Sequence, residues 1–360
     1  MSKTPNSRIE SLDLLRGIAA ISVAISHYYL GQNPSNSFAE QISIISVELF
    51  FVLSGFVLAP QILSCISSGS FYDNIKIFMA RRWMRTVPPY LVALICATLA
   101  FKNASMGDFL KYAFYVQNFF AQHMTKDYFF VAWSLSVEEW FYVIFPASLF
   151  FVHSKIFKSR DALLGKKYIL STLFIIFAIV LNRYFSGDQS NWGENIRRVV
   201  IYRIDSISYG FLAFLFISNL RRIPSLFLAT GTAAFFSLSL FVAEEISLGN
   251  GDIWKDGFLY SSAAFGVSSI VLFYRINDFS SGRFKLYTSF CSFLGRTSYS
   301  VYLFHSIVLV LMPNESGGDF FLLLLIYIGV VLGFAYIFYL VVEKPILARR
   351  PRYDIKVPNL

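Results

Sequence analysis

The feature that most constrains this sequence is a series of ten apolar stretches, each long enough to cross or nearly cross a lipid bilayer. A helix needs about 20 apolar residues to traverse a hydrocarbon layer of about 30 Å. Because no water reaches the interior of that layer, the backbone there must be satisfied within the protein, as it is in helices. The sequence therefore predicts an all-α fold, a polytopic membrane helix bundle. Its spans are expected at residues 12–30, 42–63, 87–101, 129–152, 168–181, 206–217, 226–243, 258–274, 293–312 and 320–342.

The composition supports a membrane protein with a single domain over residues 1–360. Apolar residues make up 56% of the chain, charged residues only 15%, and the mean hydropathy is +0.57. A soluble protein of this length needs more charge to cover its surface. No linker-like composition or internal repeat divides the chain, and no signal-peptide cleavage site follows the first span. The apolar segment 109–120 contains Lys111, so we expect it at the membrane interface rather than across the membrane.

The net charge of +9 is explained by where lysine and arginine occur. If the N-terminus is cytoplasmic, the segments on the inner side carry more than twice as many of these residues as the outer segments. This asymmetry follows the positive-inside rule and predicts that both termini are cytoplasmic. The charge therefore needs no nucleic-acid partner, and we expect none.

Ionisable residues inside a span are costly and are therefore candidates for function. In the first span, Arg16 and His27 lie within about 20° of the same helical face and about 16 Å apart along the axis. Gly17, Ala20 and Ala24 lie close to that face and are expected to leave room for a thin ligand. The alternative is an arginine that reaches to the membrane surface and a histidine that is hydrogen-bonded in the core.

A second arginine pair precedes the third predicted span. Arg82 and Arg85 are three residues apart and share a helical face. Planar guanidinium groups at a membrane boundary suit bidentate binding of phosphates. The alternative is that they only mark the cytoplasmic side of the span. Pro88 and Pro89 follow and are expected to open the next helix or to bend its entry.

Glutamates in the outer halves of two spans form the third group of candidates. Glu138 and Glu139 diverge by about 100° around a helix, so both cannot face one site. Glu48 lies in the second span. The alternative for Glu48 and Glu138 is a hydrogen bond or ion pair between helices. At the end of the last span, Glu343 is expected to pair with one of the arginines.

The ninth span carries three polar residues on one broad face. Tyr299, Tyr302 and His305 follow one another at intervals of three residues. The three cysteines of the chain are far apart, so they indicate neither a disulfide framework nor a zinc site. The four histidines are scattered as well, and we expect no metal.

Six segments together resemble the acyltransferase-3 family of multi-pass membrane acyltransferases. In chain order they are the Arg-x10-His of Arg16 and His27, the run FFVLSGF, the Arg-x-x-Arg of Arg82 and Arg85, WSLSVEEWFY, SYSVYLFH and a terminal Val-Glu-x-Pro. Arg-x-x-Arg alone is a weak signal. Six segments in this order, over essentially the whole chain, are specific.

The resemblance implies transfer of an acyl group, usually acetyl, from cytoplasmic acetyl-CoA to a hydroxyl of a saccharide. The expected acceptors are lipopolysaccharide, another cell-surface polysaccharide, a peptidoglycan precursor or a lipid-linked saccharide. The expected partners are thus acyl-CoA, such a saccharide and membrane lipid, in the inner membrane of a bacterium. Some family members carry an added SGNH hydrolase-like domain; the sequence ends at Leu360, and we expect the type without that extension. The residues expected to hold the phosphates of acetyl-CoA are Arg16, Arg82 and Arg85.

The same resemblance gives His27 the chemical role. We expect it to act as general base on the acceptor hydroxyl, because an imidazole titrates near neutral pH. Glu138 or Glu48 is expected to orient the imidazole, as an acid does in other His–acid pairs. No serine lies in a nucleophile-elbow sequence, so direct transfer is preferred to an acyl-enzyme. The alternative carriers of a covalent acyl group are Ser54, Ser134, Ser136 and His27 itself.

The alternative function is a transporter or flippase for a saccharide or an ion, in which the same charged residues gate a pathway. No inverted repeat or pair of broken helices is apparent in the sequence, which counts against this alternative. A second alternative is a non-enzymatic membrane sensor. Binding of acetyl-CoA to the detergent-purified protein distinguishes the enzyme from both alternatives.

Overall fold

The structure, a computed structural model, describes residues 9–67, 70–101, 104–121, 128–155, 164–187, 189–220, 224–248, 251–280, 285–312 and 319–351. Within these ranges the regular structure is helical, and no strand is present. Short 3₁₀ and π segments join some of the helices. The α-helices are α1 (Glu10–Gln32), α2 (Ser37–Ser67), α3 (Phe71–Phe101), α4 (Met106–Ala113), α5 (Ala132–Lys155), α6 (Leu164–Ser186), α7 (Ile204–Leu220), α8 (Ser225–Ser247), α9 (Gly251–Ser280), α10 (Lys285–Leu311), α11 (Phe320–Phe338) and α12 (Lys344–Ala348).

Each of the ten predicted spans falls on one of these helices, so the all-α, polytopic membrane fold is confirmed. Eight described helices are long and apolar enough to cross a membrane. The helix α7 is apolar but shorter, as its sequence indicated. The interrupted segment that contains Lys111 forms only the short helix α4, which is too short to span. The cytoplasmic location of both termini stays a prediction.

The third span differs from the prediction at its N-terminal end. The helix α3 is continuous from Phe71 to Phe101 and contains Pro88 and Pro89, so the expectation that a new helix opens at the prolines is wrong. Membrane helices tolerate proline because neighbouring helices and small local adjustments satisfy the freed carbonyl groups. Arg82 and Arg85 consequently lie inside a long helix, where their low hydropathy hid its first half from the sequence analysis.

The helices form two compact units. The first unit comprises Met1–Phe50, Pro88–Lys102 and Arg221–Ala348, and the second comprises Phe51–Val87, Asn103–Leu220 and Arg349–Leu360. The chain passes from one unit to the other within α2 and within α3. The first unit therefore contains Arg16, His27, Glu48 and Glu343, and the second contains Glu138, Glu139 and the arginine pair of α3.

In the first unit, α1 packs closely against α10. A Cβ added at Gly17 would overlap the side chain of Leu294, and a Cβ added at Gly295 would overlap Asp13. Glycine at both positions lets the two helix backbones approach, as small residues do in membrane helix pairs. This contact fixes the position of α10 along the axis of α1. It therefore determines which residues of the two helices face each other.

The small residues of α1 fill this interface and do not line a channel. Ala20 and Ala24 are completely buried. They belong to an apolar cluster with Val301 of α10 and Tyr327 of α11. The expectation that Gly17, Ala20 and Ala24 leave room for a thin ligand is therefore wrong, because side chains of α10 and α11 occupy that space.

In the second unit, α2 and α7 cross at two glycines. A Cβ at Gly55 would overlap the backbone carbonyl of Ile207, and a Cβ at Gly210 would overlap the backbone carbonyl of Val52. The contacts are reciprocal, since each glycine faces the other helix's backbone. Gly55 is the glycine of the FFVLSGF run, so its presence in that motif has a packing reason.

Candidate functional site

The histidine of the first span faces the histidine of the ninth. His27 Nδ1 lies 2.8 Å from His305 Nε2, between helices α1 and α10. The ring planes are inclined by 12° and the ring centroids are 5.0 Å apart. With so short an N···N distance, that centroid separation places the rings edge to edge in nearly one plane. The lone pair of a ring nitrogen lies in the ring plane, so this geometry is that of an N–H···N hydrogen bond.

The other ring nitrogen of His27 contacts a serine of α2. His27 Nε2 lies 3.1 Å from Ser43 Oγ. His27 is half-buried, whereas Ser43 is buried. Both imidazole nitrogens are thus held by hydrogen bonds, and the edge carrying Nε2 is the one that faces a hydroxyl group.

His305 is held from its far side by its own helix. Its Nδ1 lies 2.8 Å from the carbonyl oxygen of Tyr302 and 3.2 Å from that of Val301. The hydroxyl of Tyr327 donates to the carbonyl oxygen of His305 at 3.0 Å. His305 is completely buried. These contacts fix the ring in one position and leave Nε2 directed at His27.

Arg16 and Glu48 also belong to the first unit. Arg16 is half-buried, and its Nη1 lies 3.8 Å from Asp13 Oδ1, one turn earlier on α1. Glu48 is 1% exposed. It follows Ser43 by five residues, which places it about 140° around α2 from that serine. The role of either residue stays a prediction.

Glu343 lies in a π segment after α11 and is buried. It accepts a hydrogen bond from Ser300 of α10. The SYSVYLFH segment thus supplies hydrogen-bond partners for two residues: Ser300 for Glu343 and His305 for His27. From the sequence, an arginine was expected as the partner of Glu343, and Ser300 carried no signal that identified it.

In the second unit, Glu138 accepts hydrogen bonds from two hydroxyl groups. Ser54 Oγ donates to Glu138 Oε1 at 2.7 Å, and Tyr142 donates to the same oxygen. Ser54 is the serine of FFVLSGF, and Glu138 and Tyr142 belong to WSLSVEEWFY. The two motifs are therefore joined by a hydrogen-bonded contact between α2 and α5. This is the helix–helix alternative that the sequence left open for Glu138, and its catalytic role stays a prediction.

The adjacent Glu139 is the more deeply buried of the two glutamates. Its carboxylate is within hydrogen-bonding range of the side chains of Thr86 and Trp83, and its charge interacts with that of Arg82. Arg82 therefore has an acidic neighbour, Glu139, on α5. Glu139 was given no role from the sequence because Arg82, with which its charge interacts, is 57 positions earlier in the chain and on another helix.

Arg82 is itself buried, with 8% of its surface exposed. Its Nη2 donates to Gln61 Oε1 at 2.7 Å, and its guanidinium carbon lies 5.9 Å from the centroid of the Phe78 ring. A buried guanidinium group with a fixed amide partner keeps its orientation. Arg85, one turn later, is half-buried.

Four arginines of the second unit form a cluster, which we call the arginine cluster: Arg81, Arg82, Arg85 and Arg350. The charges of the other three act on Arg82. Burial, together with the charges of Arg85 and Arg81, lowers the pKa of Arg350 to about 10. Like charges that oppose one another's protonation produce a positive potential, which a bound anion relieves. The structure thus brings Arg82 and Arg85 together as predicted and adds two arginines that the sequence analysis did not select. Within the described ranges, no three side chains of metal-binding type come together.

Comparison with known proteins agrees with this combination of features. The chain is similar to "O-acetyltransferase OatA" of Staphylococcus aureus (strain NCTC 8325 / PS 47), with 26% identity over 85% of this chain and 51% of the relative. It is also similar to "Putative peptidoglycan O-acetyltransferase YrhL" of Bacillus subtilis (strain 168), with 27% identity over 96% of this chain and 56% of the relative. A third relative is "Peptidoglycan O-acetyltransferase OatA" of Listeria monocytogenes serovar 1/2a, with 26% identity over 84% of this chain and 50% of the relative.

The chain spans about half the length of the curated relatives it matches. No solved structure gives a significant match. The model of the family described as "Acyltransferase domain" matches residues 9–340, which include the histidine pair, Glu48, Glu138, Glu139 and the arginines of α3. The predicted resemblance is confirmed: this chain belongs to the acyltransferase-3 family of membrane proteins.

Proposed function

We propose that this protein is a membrane O-acetyltransferase that moves an acetyl group from cytoplasmic acetyl-CoA to a hydroxyl group of a cell-surface saccharide. In this reaction the acceptor O–H gives its proton to His27 as the oxygen attacks the thioester carbonyl. The C–S bond then breaks, and the His27 imidazolium gives that proton to the CoA thiolate. The new ester stays on the acceptor, and no acyl-enzyme is required.

The observation that carries the proposal is the hydrogen-bonded environment of His27. It is a half-buried imidazole, held at Nδ1 by a second histidine and facing a hydroxyl group at Nε2. A general base needs a fixed ring and a nitrogen within hydrogen-bonding range of a hydroxyl group, and His27 meets both conditions. The contact between Nε2 and Ser43 supports the view that this edge of the ring accepts hydroxyl protons.

The arginine cluster supports the choice of donor. The nucleotide end of CoA carries phosphate groups, and arginines bind phosphate with two parallel hydrogen bonds. Four guanidinium groups that oppose one another's charge are stabilised when an anion is added. We assign Arg82 and Arg85 to the phosphates for this reason, and Arg16 on the family resemblance alone.

The acceptor is proposed from the relatives. Two of their names specify peptidoglycan, so peptidoglycan is the first saccharide to test, and lipopolysaccharide and lipid-linked saccharides follow. The experiment compares surface glycans by mass spectrometry from bacterial cells with and without the protein. Glycans that gain acetyl groups only with the wild-type protein support the proposal. Identical glycans, together with no binding of acetyl-CoA by the purified protein, would favour the transporter alternative.

We expect Arg85→Ala to weaken the binding of acetyl-CoA by roughly 10- to 100-fold. The reason is that losing one charge-assisted contact to a phosphate costs about 1.5–3 kcal/mol. Arg85 is preferred to Arg82 for this test because Arg82 is buried and hydrogen-bonded to Gln61, so removal of the Arg82 side chain also disturbs packing. Binding is measured by titration calorimetry on the full chain in detergent.

The matched control is Arg349→Ala, which removes the same charge from an exposed position near the cluster. It should leave the affinity within about twofold, because an exposed charge is screened by solvent and salt. The nucleotide fragment of CoA, which lacks the pantetheine arm, should show the same loss with Arg85→Ala. Unchanged affinity in Arg85→Ala would mean that this arginine only marks the cytoplasmic side of the membrane.

A further inference from the structure

The histidine of the SYSVYLFH segment has no role in the proposed reaction so far, although it makes the closest contact to His27. Its two nitrogens face groups of different kinds. Nδ1 faces the carbonyl oxygens of Tyr302 and Val301, and Nε2 faces His27. Carbonyl oxygens only accept hydrogen bonds, so Nδ1 of His305 carries a hydrogen.

The charge of His305 follows from its surroundings. It is completely buried, and no carboxylate of the described residues hydrogen-bonds to it. A buried imidazolium without an acidic partner is costly, so His305 is neutral. A neutral imidazole with its hydrogen on Nδ1 has a lone pair on Nε2. Nε2 of His305 is therefore an acceptor, and Nδ1 of His27 must donate to it.

The direction of this hydrogen bond determines the tautomer of the neutral, base form of His27. A neutral imidazole carries one hydrogen, and in this form of His27 the hydrogen is on Nδ1. Its Nε2 is left with the lone pair, which accepts a hydrogen bond from Ser43 Oγ. One chain of hydrogen bonds thus runs from Ser43 through His27 and His305 to the carbonyl oxygen of Tyr302. Every donor in this chain has an acceptor.

We propose that His305 is a positioning residue, which holds His27 in the tautomer that has its base nitrogen, Nε2, directed at the hydroxyl side. His305 performs by its neutral Nε2 the role that a carboxylate performs in other His–acid pairs, where the wrong tautomer lowers turnover severely. The inference rests on the proposed function for its catalytic consequence, whereas the tautomer itself is independent of any activity.

The test uses two neutral substitutions that differ in which nitrogen they replace. In His305→Gln the side-chain amide reaches the position of Nε2, so its oxygen can accept from His27. In His305→Asn the amide reaches only the position of Nδ1, so it can bond to the Tyr302 carbonyl but offers His27 nothing. Both variants retain a polar group of similar size in the same helix, which makes each the control for the other.

The first measurement is the 15N spectrum of the full chain labelled at histidine. The chain contains only four histidines, so each signal is assigned by single substitution. We expect the wild type and His305→Gln to show His27 with a hydrogen on Nδ1 and none on Nε2. His305→Asn should show a mixture of the two tautomers. A hydrogen on Nε2 of His27 in the wild type, or an unchanged tautomer in His305→Asn, would overturn the inference.

The second measurement is acetyl transfer. His305→Asn should lower kcat by about 100-fold, with the KM for acetyl-CoA within about threefold, because the loss concerns the base and not donor binding. His305→Gln should recover most of that loss. Equal losses in the two variants would also contradict the positioning role. If the wild type transfers no acetyl group but the spectra behave as expected, the proposed function fails and the tautomer assignment stands.

Discussion

Acetyl transfer is expected to be abolished when His27 is replaced by alanine, while the protein still inserts in the membrane and still binds acetyl-CoA. The loss should be at least about 100-fold, which is the lower end of what a positioned general base contributes. Donor binding should persist because Arg82 and Arg85, the two phosphate-binding residues taken from the arginine cluster, belong to the second unit and His27 does not. The measurement is acetylation of surface glycan, with titration of acetyl-CoA on the purified variant.

Alanine also leaves Nε2 of His305 without its partner, which costs about 1–3 kcal/mol in a buried position. The matched variant His27→Asn removes that complication. Its amide nitrogen lies where Nδ1 was and donates to His305, so the interface between α1 and α10 is retained. No base remains at the position of Nε2. We expect His27→Asn to be as stable as the wild type and as inactive as His27→Ala, and activity near that of the wild type in either variant would contradict the mechanism.

The largest expected effect on stability comes from the crossing of α2 and α7. Gly55→Ala and Gly210→Ala should each destabilise the protein by about 3 kcal/mol or more, at the upper end of the range for overpacking. The reason is that each new methyl group would overlap a backbone carbonyl of the other helix, and backbone does not rotate away as a side chain does. The helices must separate to make room. The measurement is the apparent unfolding temperature of the full chain in detergent, at a fixed heating rate.

The control is Gly231→Ala in α8, where an added Cβ meets no atom within 4 Å. Alanine is favoured over glycine in a helix by about 1 kcal/mol, so this variant should be as stable as the wild type or more so. The double variant of Gly55 and Gly210 should be less destabilised than the sum of the two, because the first substitution already separates the helices. If Gly55→Ala unfolds at the temperature of Gly231→Ala, the close crossing is not formed.

The candidate site was predictable to different degrees in its two parts. His27, Arg82 and Arg85 were selected from sequence because a charge inside a span has few structural explanations. Their neighbours were not selected. Ser43 is a polar residue of ordinary type near the N-terminal end of α2, and Arg350 lies in the basic segment after the last span, where arginine is expected in any case. Neither residue carries a sequence signal of its own.

The partner of His27 was sought among glutamates, because a carboxylate is the usual group that orients a catalytic imidazole. The structure records a histidine at Nδ1 of His27, and it shows Glu138 bonded to the hydroxyl groups of Ser54 and Tyr142. The roles of Glu138 and Glu48 in orienting His27 stay predictions. A signal was available in the sequence, since SYSVYLFH placed His305 on a face with two tyrosines. It did not say which other helix that face would meet.

The all-α class and the approximate positions of the membrane spans could be predicted from the amino-acid sequence alone. Each span must satisfy its own backbone in lipid and must be apolar over about 20 residues, and both conditions are local to a segment. Which side chains meet depends on how the helices pack, and this could not be predicted from separate segments. His27 and His305 are 278 residues apart, and their contact depends on how closely α1 approaches α10. That approach is set by Gly17 and Gly295, whose lack of a side chain has a meaning only once the opposing helix is known.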